Sequence, residues 1–173
     1  IKSGVTLLLL LAYAFCLPRH LFPQPYATVL ESAEGKLLSA KIATDGQWRF
    51  PEVDSVPYRF KMSVLQFEDA HFYYHWGVNP ISVTKALYRN ITNGKITRGG
   101  STLTQQVIRI AREHQQRTYF EKLIEMIWAT RLEFRYSKES ILRLYASHAP
   151  FGGNVVGLDM AAWRYFGVAP HQL

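Results

Sequence analysis

Apolar positions along the chain change their period several times, and each change marks an element. Val5 to Leu17 is apolar at every position except Thr6, with Lys2 before it and Pro18-Arg19-His20 after it. A helix of that length reaches about 20 Å, against a hydrocarbon core of about 30 Å, and so does not span a bilayer by itself. Because the chain opens on Ile1, the run reads as the outer part of a longer signal anchor, with a buried core helix as the alternative. No small-x-small cleavage site follows, which argues against a removable signal. Pro18, Pro23 and Pro25 then mark an extended linker. Tyr26 to Leu30 and Lys36 to Ile42 are strand-like runs around Glu34-Gly35, closed by Gly46, and predict a small hairpin. From Val56-Pro57 the period becomes helical, with proline suited to a first helical turn. Met62, Leu65 and Val64 are expected to face a core, which leaves Glu68 at the helix end.

The glycine- and amide-rich stretch 93–100 predicts a mobile loop. Ser101 or Thr102 then caps a helix to about Glu113, and Thr102 with Gln105 has the capping-box spacing. Leu103, Val107 and Ile110 form its core stripe, while Thr102, Gln106 and Arg109 fall on another at i, i+4, i+7. A further helix is expected from about Tyr119 to Arg135, with Phe120, Leu123, Ile124, Ile127 and Trp128 toward the core. Lys122 and Glu125 stand three apart on it, a spacing that as a surface ion pair is worth about 0.3 kcal/mol. Ser137 caps the next helix, through Ile141, Leu142 and Tyr145, ending before Pro150-Phe151-Gly152-Gly153-Asn154. A last helix, about Leu158 to Phe166, stops at Gly167.

Composition narrows the class. A chain of 173 residues suits one domain, and 48% hydrophobic with 14% aromatic residues excludes disorder. The balance of 20 Lys+Arg against 13 Asp+Glu gives a net charge of +7, favouring a polyanionic partner or an anionic membrane surface. Charge alone does not choose between nucleic acid, lipid headgroups and phosphorylated substrates. The single cysteine, Cys16, excludes an internal disulfide and a cysteine-rich zinc site. Phe15 before it does not suit a lipoprotein signal, so the thiol reads as buried or lipid-facing.

Two segments carry the candidate chemistry. Glu68-Asp69-Ala70-His71-Phe72-Tyr73-Tyr74-His75-Trp76-Gly77 sets a carboxylate pair beside histidines. Arg98-Gly99-Gly100-Ser101-Thr102-Leu103-Thr104-Gln105-Gln106 is a glycine turn opening into a helix, whose free N–H groups and dipole suit phosphate, although the same turn serves as a plain cap. His71 and His75, with Glu68, have the spacing of metal ligands, but the full zinc-protease arrangement is absent. Ser82-Val83-Thr84-Lys85 matches the acyl-enzyme serine pattern of transpeptidases without either companion motif, and reads as coincidence.

Taken together, these residues resemble the peptidoglycan glycosyltransferases, glycosyltransferase family 51, found as monofunctional enzymes and in class A penicillin-binding proteins. The resemblance runs from about Tyr26 to the C-terminus. Glu68 to Gly77 fits the family's Glu-Asp-x-x-Phe-x-x-His-x-Gly block, and Gly99 to Gln106 its Gly-Gly-Ser-Thr-x-Thr-Gln-Gln block. Lys122 and Glu125 match the third motif, Lys138 to Tyr145 the fourth, and Arg164-Tyr165-Phe166-Gly167 the fifth. Two departures stand out: Glu121 replaces the arginine that usually precedes the third-motif lysine, and Ala146-Ser147 replaces the usual Leu-Asn.

The resemblance implies a mainly α, lysozyme-like helical glycosyltransferase domain with a small N-terminal β-hairpin and a membrane-anchor segment. It divides the chain into an anchor (1–17), a linker and hairpin (18–55) and a C-terminally truncated catalytic domain (56–173). The implied activity is polymerisation of lipid II with inversion and release of undecaprenyl diphosphate. Glu68 would be the general base and Glu125 the second carboxylate. Arg109, Arg117 and Lys122 would hold the pyrophosphate, Ser101, Thr102, Gln105 and Gln106 would form a polar cradle, and Asp69, Phe72 and His75 would shape the Glu68 loop. No cofactor is required, with Mg or Mn at the pyrophosphate as the open option. Expected partners are lipid II, the growing glycan strand, the cytoplasmic membrane and other cell-wall synthesis proteins, without nucleic acid. The expected location is the extracytoplasmic (periplasmic) face of a bacterial cytoplasmic membrane, on a single-pass anchor. Two alternatives stay open: a non-catalytic module that binds lipid II or docks partners, and a lytic transglycosylase.

Overall fold

The computed structural model describes residues 2–93, 100–113 and 118–173. Most of the predicted 93–100 loop, with Arg98 and Gly99, and the candidate Arg117 therefore lie outside the described residues. In chain order the elements are α1 (Lys2–Ala14), β1 (Thr28–Glu31), β2 (Leu37–Lys41), β3 (Trp48–Arg49), α2 (Tyr58–Glu68), α3 (Pro80–Asn93), α4 (Leu103–Ala111), α5 (Tyr119–Arg135), α6 (Lys138–His148), β4 (Pro150–Gly152), β5 (Val155–Val156) and α7 (Leu158–Phe166). Single 3-10 turns lie at Phe72–Tyr74 and Pro170–Gln172. The chain is mainly helical, as expected, and forms two compact units, 1–21 with 65–138 and 22–64 with 139–173.

In the first unit, α1 ends at Ala14 instead of continuing to Leu17, because Pro18 lacks an N–H and restricts the residue before it. Among the described residues no helix is long and apolar enough to cross a membrane. Leu7 to Leu11 are all exposed. The carbonyls after α1 are received by α5: Arg131 Nε donates to Ala14 O at 3.1 Å, and Arg135 donates to Pro18 O and Arg19 O at 2.8 and 2.9 Å. Helix α3 is an element the pattern does not predict, although Asn79-Pro80 is a start signal. The Asn79 side-chain oxygen accepts from the amides of Ile81 and Ser82. The Ser82-x-x-Lys85 sequence lies on this helix.

The core of this unit is the seam where α4 lies along α5. Leu103, Val107 and Ile108 of α4 and Ala129 and Leu132 of α5 are fully buried. Ile110, expected in that stripe, is only half-buried. The expected face of α5 is corrected more strongly. Phe120, Leu123 and Ile127 are exposed, Ile124 and Trp128 half-buried, and the inward residues are Glu125, Ala129 and Leu132. Small Ala129 permits close approach: a Cβ on Gly77, at φ +78°, would sit 2.6 Å from the Ala129 backbone. Helix α2, of which residues 58–64 belong to the second unit and 65–68 to the first, buries no residue, so the expected inward placement of Met62, Val64 and Leu65 is also corrected: Met62 is exposed and the other two half-buried.

In the second unit, β1 and β2 form the predicted antiparallel hairpin, pairing Thr28 with Lys41 and Val29 with Ala40. A three-stranded sheet was not anticipated: β5 pairs parallel with β3 and antiparallel with β4, where the sequence pattern gives only a turn. Ala27, Phe50, Val155, Met160 and Ala161 form its buried cluster, flanked by Trp48, Phe151 and Trp163. The departure Ala146-Ser147 is fully buried here, and Ser147 Oγ accepts from Val53 N at 3.1 Å. Helix α7 stops at Gly167, φ +68°, as predicted.

Candidate active site

Every described candidate residue belongs to the first unit, so the site can be built within it. Helix α2 ends on Glu68, whose exposed side chain accepts a 2.6 Å hydrogen bond from Gln106 Nε2 of α4. Asp69, the next residue, turns inward. Its Oδ2 accepts from Leu103 N at 2.9 Å, the first amide of α4, where the helix leaves N–H groups free and favours negative charge. The same carboxylate receives His75 Nε2 at 2.9–3.0 Å; facing a carboxylate, that ring nitrogen carries the proton. Phe72 is 1% exposed and plugs the turn between them. Asp69, Phe72 and His75 thus hold the loop that delivers Glu68. His75 Nε2 is taken up by Asp69 and His71 is exposed, so the geometry lends the metal-ligand reading of Glu68, His71 and His75 no support. Among the described residues no three His, Cys, Asp or Glu side chains converge on a cation.

The start of α4 has the complete capping box: Gln105 N donates to Thr102 Oγ1, and Thr102 N to Gln105 Oε1. Thr102 Oγ1 also donates to Gly77 O at 2.5 Å, which ties the two conspicuous sequence segments together. One turn beyond Gln106, Arg109 meets Glu125 of α5 through Nε to Oε1 at 2.7 Å and a terminal nitrogen to Oε2 at 3.0 Å. Lys122 Nζ donates to Glu125 Oε2, Gln105 Oε1 and Ser101 Oγ at 3.1, 3.0 and 2.8 Å. Ser101 Oγ also accepts from Arg109 at 3.3 Å. The Lys122–Glu125 pair is therefore part of a half-buried cluster, not the isolated surface pair that spacing alone implies.

Burial by itself would raise the Glu125 carboxyl, but the hydrogen bonds and charges of Arg109 and Lys122 outweigh it and hold the group below the ordinary carboxylate range. The bond to Glu125 raises the Arg109 guanidinium further against its burial. With two cations to one carboxylate, the cluster keeps a surplus positive charge suited to an anionic ligand. Glu121 has a partner of its own: it pairs with Arg112 at 2.7 Å, and that guanidinium lies 4.7 Å over the Trp128 ring. The pattern assigns no role to Thr104 and Glu133, although they join Lys138; Thr104 is a fixed position of the Gly-Gly-Ser-Thr-x-Thr-Gln-Gln block, whereas no local signal marks Glu133.

The transglycosylase family profile matches residues 34–173, and the chain belongs to that family. Over 148 residues, 85% of this chain and 19% of the relative, it is 38% identical to penicillin-binding protein 1C of Escherichia coli (strain K12). It is 39% identical to a biosynthetic peptidoglycan transglycosylase of Alcanivorax borkumensis over 126 residues, 73% of this chain and 51% of that one. A penicillin-binding protein 1A/1B of Bacillus subtilis is 30% identical over 97% of this chain and 18% of its own length. The chain thus spans about a fifth of the two penicillin-binding proteins and about half of the biosynthetic transglycosylase.

Proposed function

We propose that this domain is a peptidoglycan glycosyltransferase that polymerises lipid II into β-1,4 glycan strands and releases undecaprenyl diphosphate. The observation that carries the reading is the pairing of a presented carboxylate with a cation cluster on neighbouring turns of one helix. Gln106 holds Glu68, and Arg109 donates to Glu125 and Ser101, the two groups that also receive Lys122. Three residues of α4, about 4.5 Å of rise, separate the two anchors.

In this reading the 4-hydroxyl of the acceptor sugar attacks C1 of the donor with inversion. The new O–C1 bond forms as the bond from C1 to the phosphate oxygen breaks, and the diphosphate leaves with the electron pair. Glu68 takes the hydroxyl proton, since a hydroxyl near pH 7 needs a positioned acceptor. Arg109 and Lys122 meet the charge that grows on the diphosphate, with Arg117 as a further candidate cation. Glu125 keeps both described cations oriented, Ser101 and Gln106 line the polar wall, and Thr102 and Gln105, buried at the start of α4, brace that wall from behind instead of facing substrate. The described residues do not fit a divalent cation: both Glu125 oxygens already face cations, and Glu68 stands apart with Gln106. The reading needs no step through a metal.

The exposed leucines of α1 and the apolar outer face of α5 support a seat at the outer surface of the bacterial cytoplasmic membrane, where lipid II and the growing strand are held. The test is polymerisation of purified lipid II in detergent by this chain and by Glu68→Gln, following strands and released undecaprenyl diphosphate. Strands from the parent and none from the variant are expected. A folded parent that binds lipid II without polymerising it favours a binding module, and cleavage of finished strands favours a lytic enzyme.

A further inference from the structure

We infer that Lys138 is a positioning residue for Glu68, acting through the backbone carbonyl of His75. The inference rests on the proposed role of Glu68 and adds to it the support on which that carboxylate depends.

Lys138 Nζ donates to His75 O at 2.7 Å and to Glu133 Oε1 at 2.8 Å, and lies 4.4 Å from the centre of the Phe72 ring. The Glu133 side chain is 4% exposed, and its Oε1 also accepts from Thr104 Oγ1 of α4 at 2.6 Å. One ammonium therefore touches the Glu68 loop at two places, Phe72 and His75, while its counterion is fastened to α4. From His75 the linkage continues inward: the ring donates to Asp69, and Asp69 accepts from Leu103 N at the start of α4. Glu68, one residue before Asp69, closes the circuit by accepting from Gln106 on the same helix. The base and the loop that follows it are thus both held to α4.

Cohesion alone does not account for this arrangement. Desolvation of a buried ion pair offsets much of its attraction, and apolar replacements of similar volume often fold as well. Such a pair does fix direction, because an ammonium has a definite place between its acceptors. Direction matters for a general base, which works at hydrogen-bond reach and loses about 100-fold in rate for a misplacement near 1 Å.

The test compares the parent, Lys138→Met and Thr104→Val in steady-state polymerisation of lipid II in detergent. Turnover is normalised to the folded fraction from circular dichroism, below the melting temperature of each protein. Methionine keeps the length over Phe72 and removes the donor. For Lys138→Met, kcat is expected to fall at least about 10-fold with KM within about 2-fold of the parent. Thr104→Val, which loosens Glu133 and leaves Lys138 in place, is expected to lose about 3-fold in kcat at the same KM. A purely structural role would lower the melting temperature and leave kcat per folded molecule unchanged, and that result overturns the inference. If Lys138→Met does not fold, Thr104→Val decides it: parental kcat overturns the inference, and lowered kcat at constant KM upholds it. Glu68→Gln runs alongside. If it turns over like the parent, the base assignment falls and takes this inference with it. If it is inactive while Lys138→Met keeps parental kcat, only the role of Lys138 falls.

Discussion

Arg109 meets Glu125 edge-on, its Nε and a terminal nitrogen donating to different carboxylate oxygens at 2.7 and 3.0 Å. Two parallel bonds fix the plane of the guanidinium as well as its distance, which a single point contact does not do. Lys122 completes the cluster from the same helix as Glu125. The geometry keeps two cations close without letting them spread apart, ready for a ligand that carries more than one negative charge.

Replacing Glu125 by Gln should therefore cost both function and stability. The two cations would face each other with no negative charge between them, and breaking a buried pair in this way costs about 3 kcal/mol. Lipid II turnover should drop at least about 10-fold. Because the Glu125 carboxyl is depressed below its ordinary 4.5, its stabilisation is complete above that pH and fades as pH falls further. Urea melts of parent and variant should converge toward pH 3 and separate at pH 7; a gap independent of pH would count against the linkage.

Gln106 Nε2 donates to Glu68 at 2.6 Å. Gln106→Leu preserves bulk and removes the donor, so kcat should fall about 10-fold while the fold is retained. Lipid II affinity should change by less than about 3-fold if Gln106 serves the base more than the substrate. A loss confined to KM would reverse that assignment.

Thr102 has two tasks, capping α4 and holding Gly77 O. Thr102→Ala should lose about 1 kcal/mol for the cap and about 1 kcal/mol more for the carbonyl left without its donor. Denaturant unfolding should show the sum, and Thr102→Ser, which retains both bonds, should stay within about 0.5 kcal/mol of the parent.

The features that could be read in advance are local ones. The capping box at Thr102 and Gln105, the hairpin around Glu34-Gly35 and the glycine stop at Gly167 are each encoded within a few residues. Asn79-Pro80 is an equally local start signal, and α3 follows it. Other features depend on partners distant in sequence. A two-residue parallel pairing such as β3 with β5 has no period to detect. On α5, Phe120, Leu123 and Ile127 have the spacing of a core stripe but are exposed, whereas Glu125 points inward. That carboxylate can be buried because Arg109 arrives from α4 and joins Lys122 of α5 around it. The motif residues of the site were visible as types and spacings. Their circuit through Asp69, His75 and Lys138 was not, since each link joins separate segments.

The corrected face of α5 makes its own prediction. Leu123→Ser, on the exposed side, should change unfolding free energy by less than about 0.5 kcal/mol, whereas Ala129→Leu should cost about 2 kcal/mol or more by overpacking against Gly77. The same substitution pair measured in vesicles tests the lipid seat: Leu123→Ser should weaken binding to anionic vesicles although it leaves the fold intact. Equal destabilisation by both changes would restore the inward reading of the stripe.

His148 provides a stability switch in a different pH range from Glu125. It is 3% exposed, stacked on Phe22 with ring centres 3.6 Å apart, and its Nε2 lies 3.2 Å from Glu52 Oε1. Tyr26 hydroxyl donates to the same oxygen, and its own pKa is pushed up to about 12 by burial and by the Glu52 charge. Burial lowers the His148 pKa, and the pull of Glu52 only partly opposes it, while Arg49 adds to the lowering. A histidine harder to protonate folded than unfolded binds more protons in the unfolded state, so stability is complete above its ordinary 6.5 and is lost as pH falls through and below that value. Melting temperature should therefore decline between pH 7.5 and pH 5.5, before the Glu125 carboxylate begins to titrate. His148→Gln, which cannot take up the proton, should flatten that decline and leave the acid limb below pH 4.5 in place. An unchanged slope would assign the transition to another group.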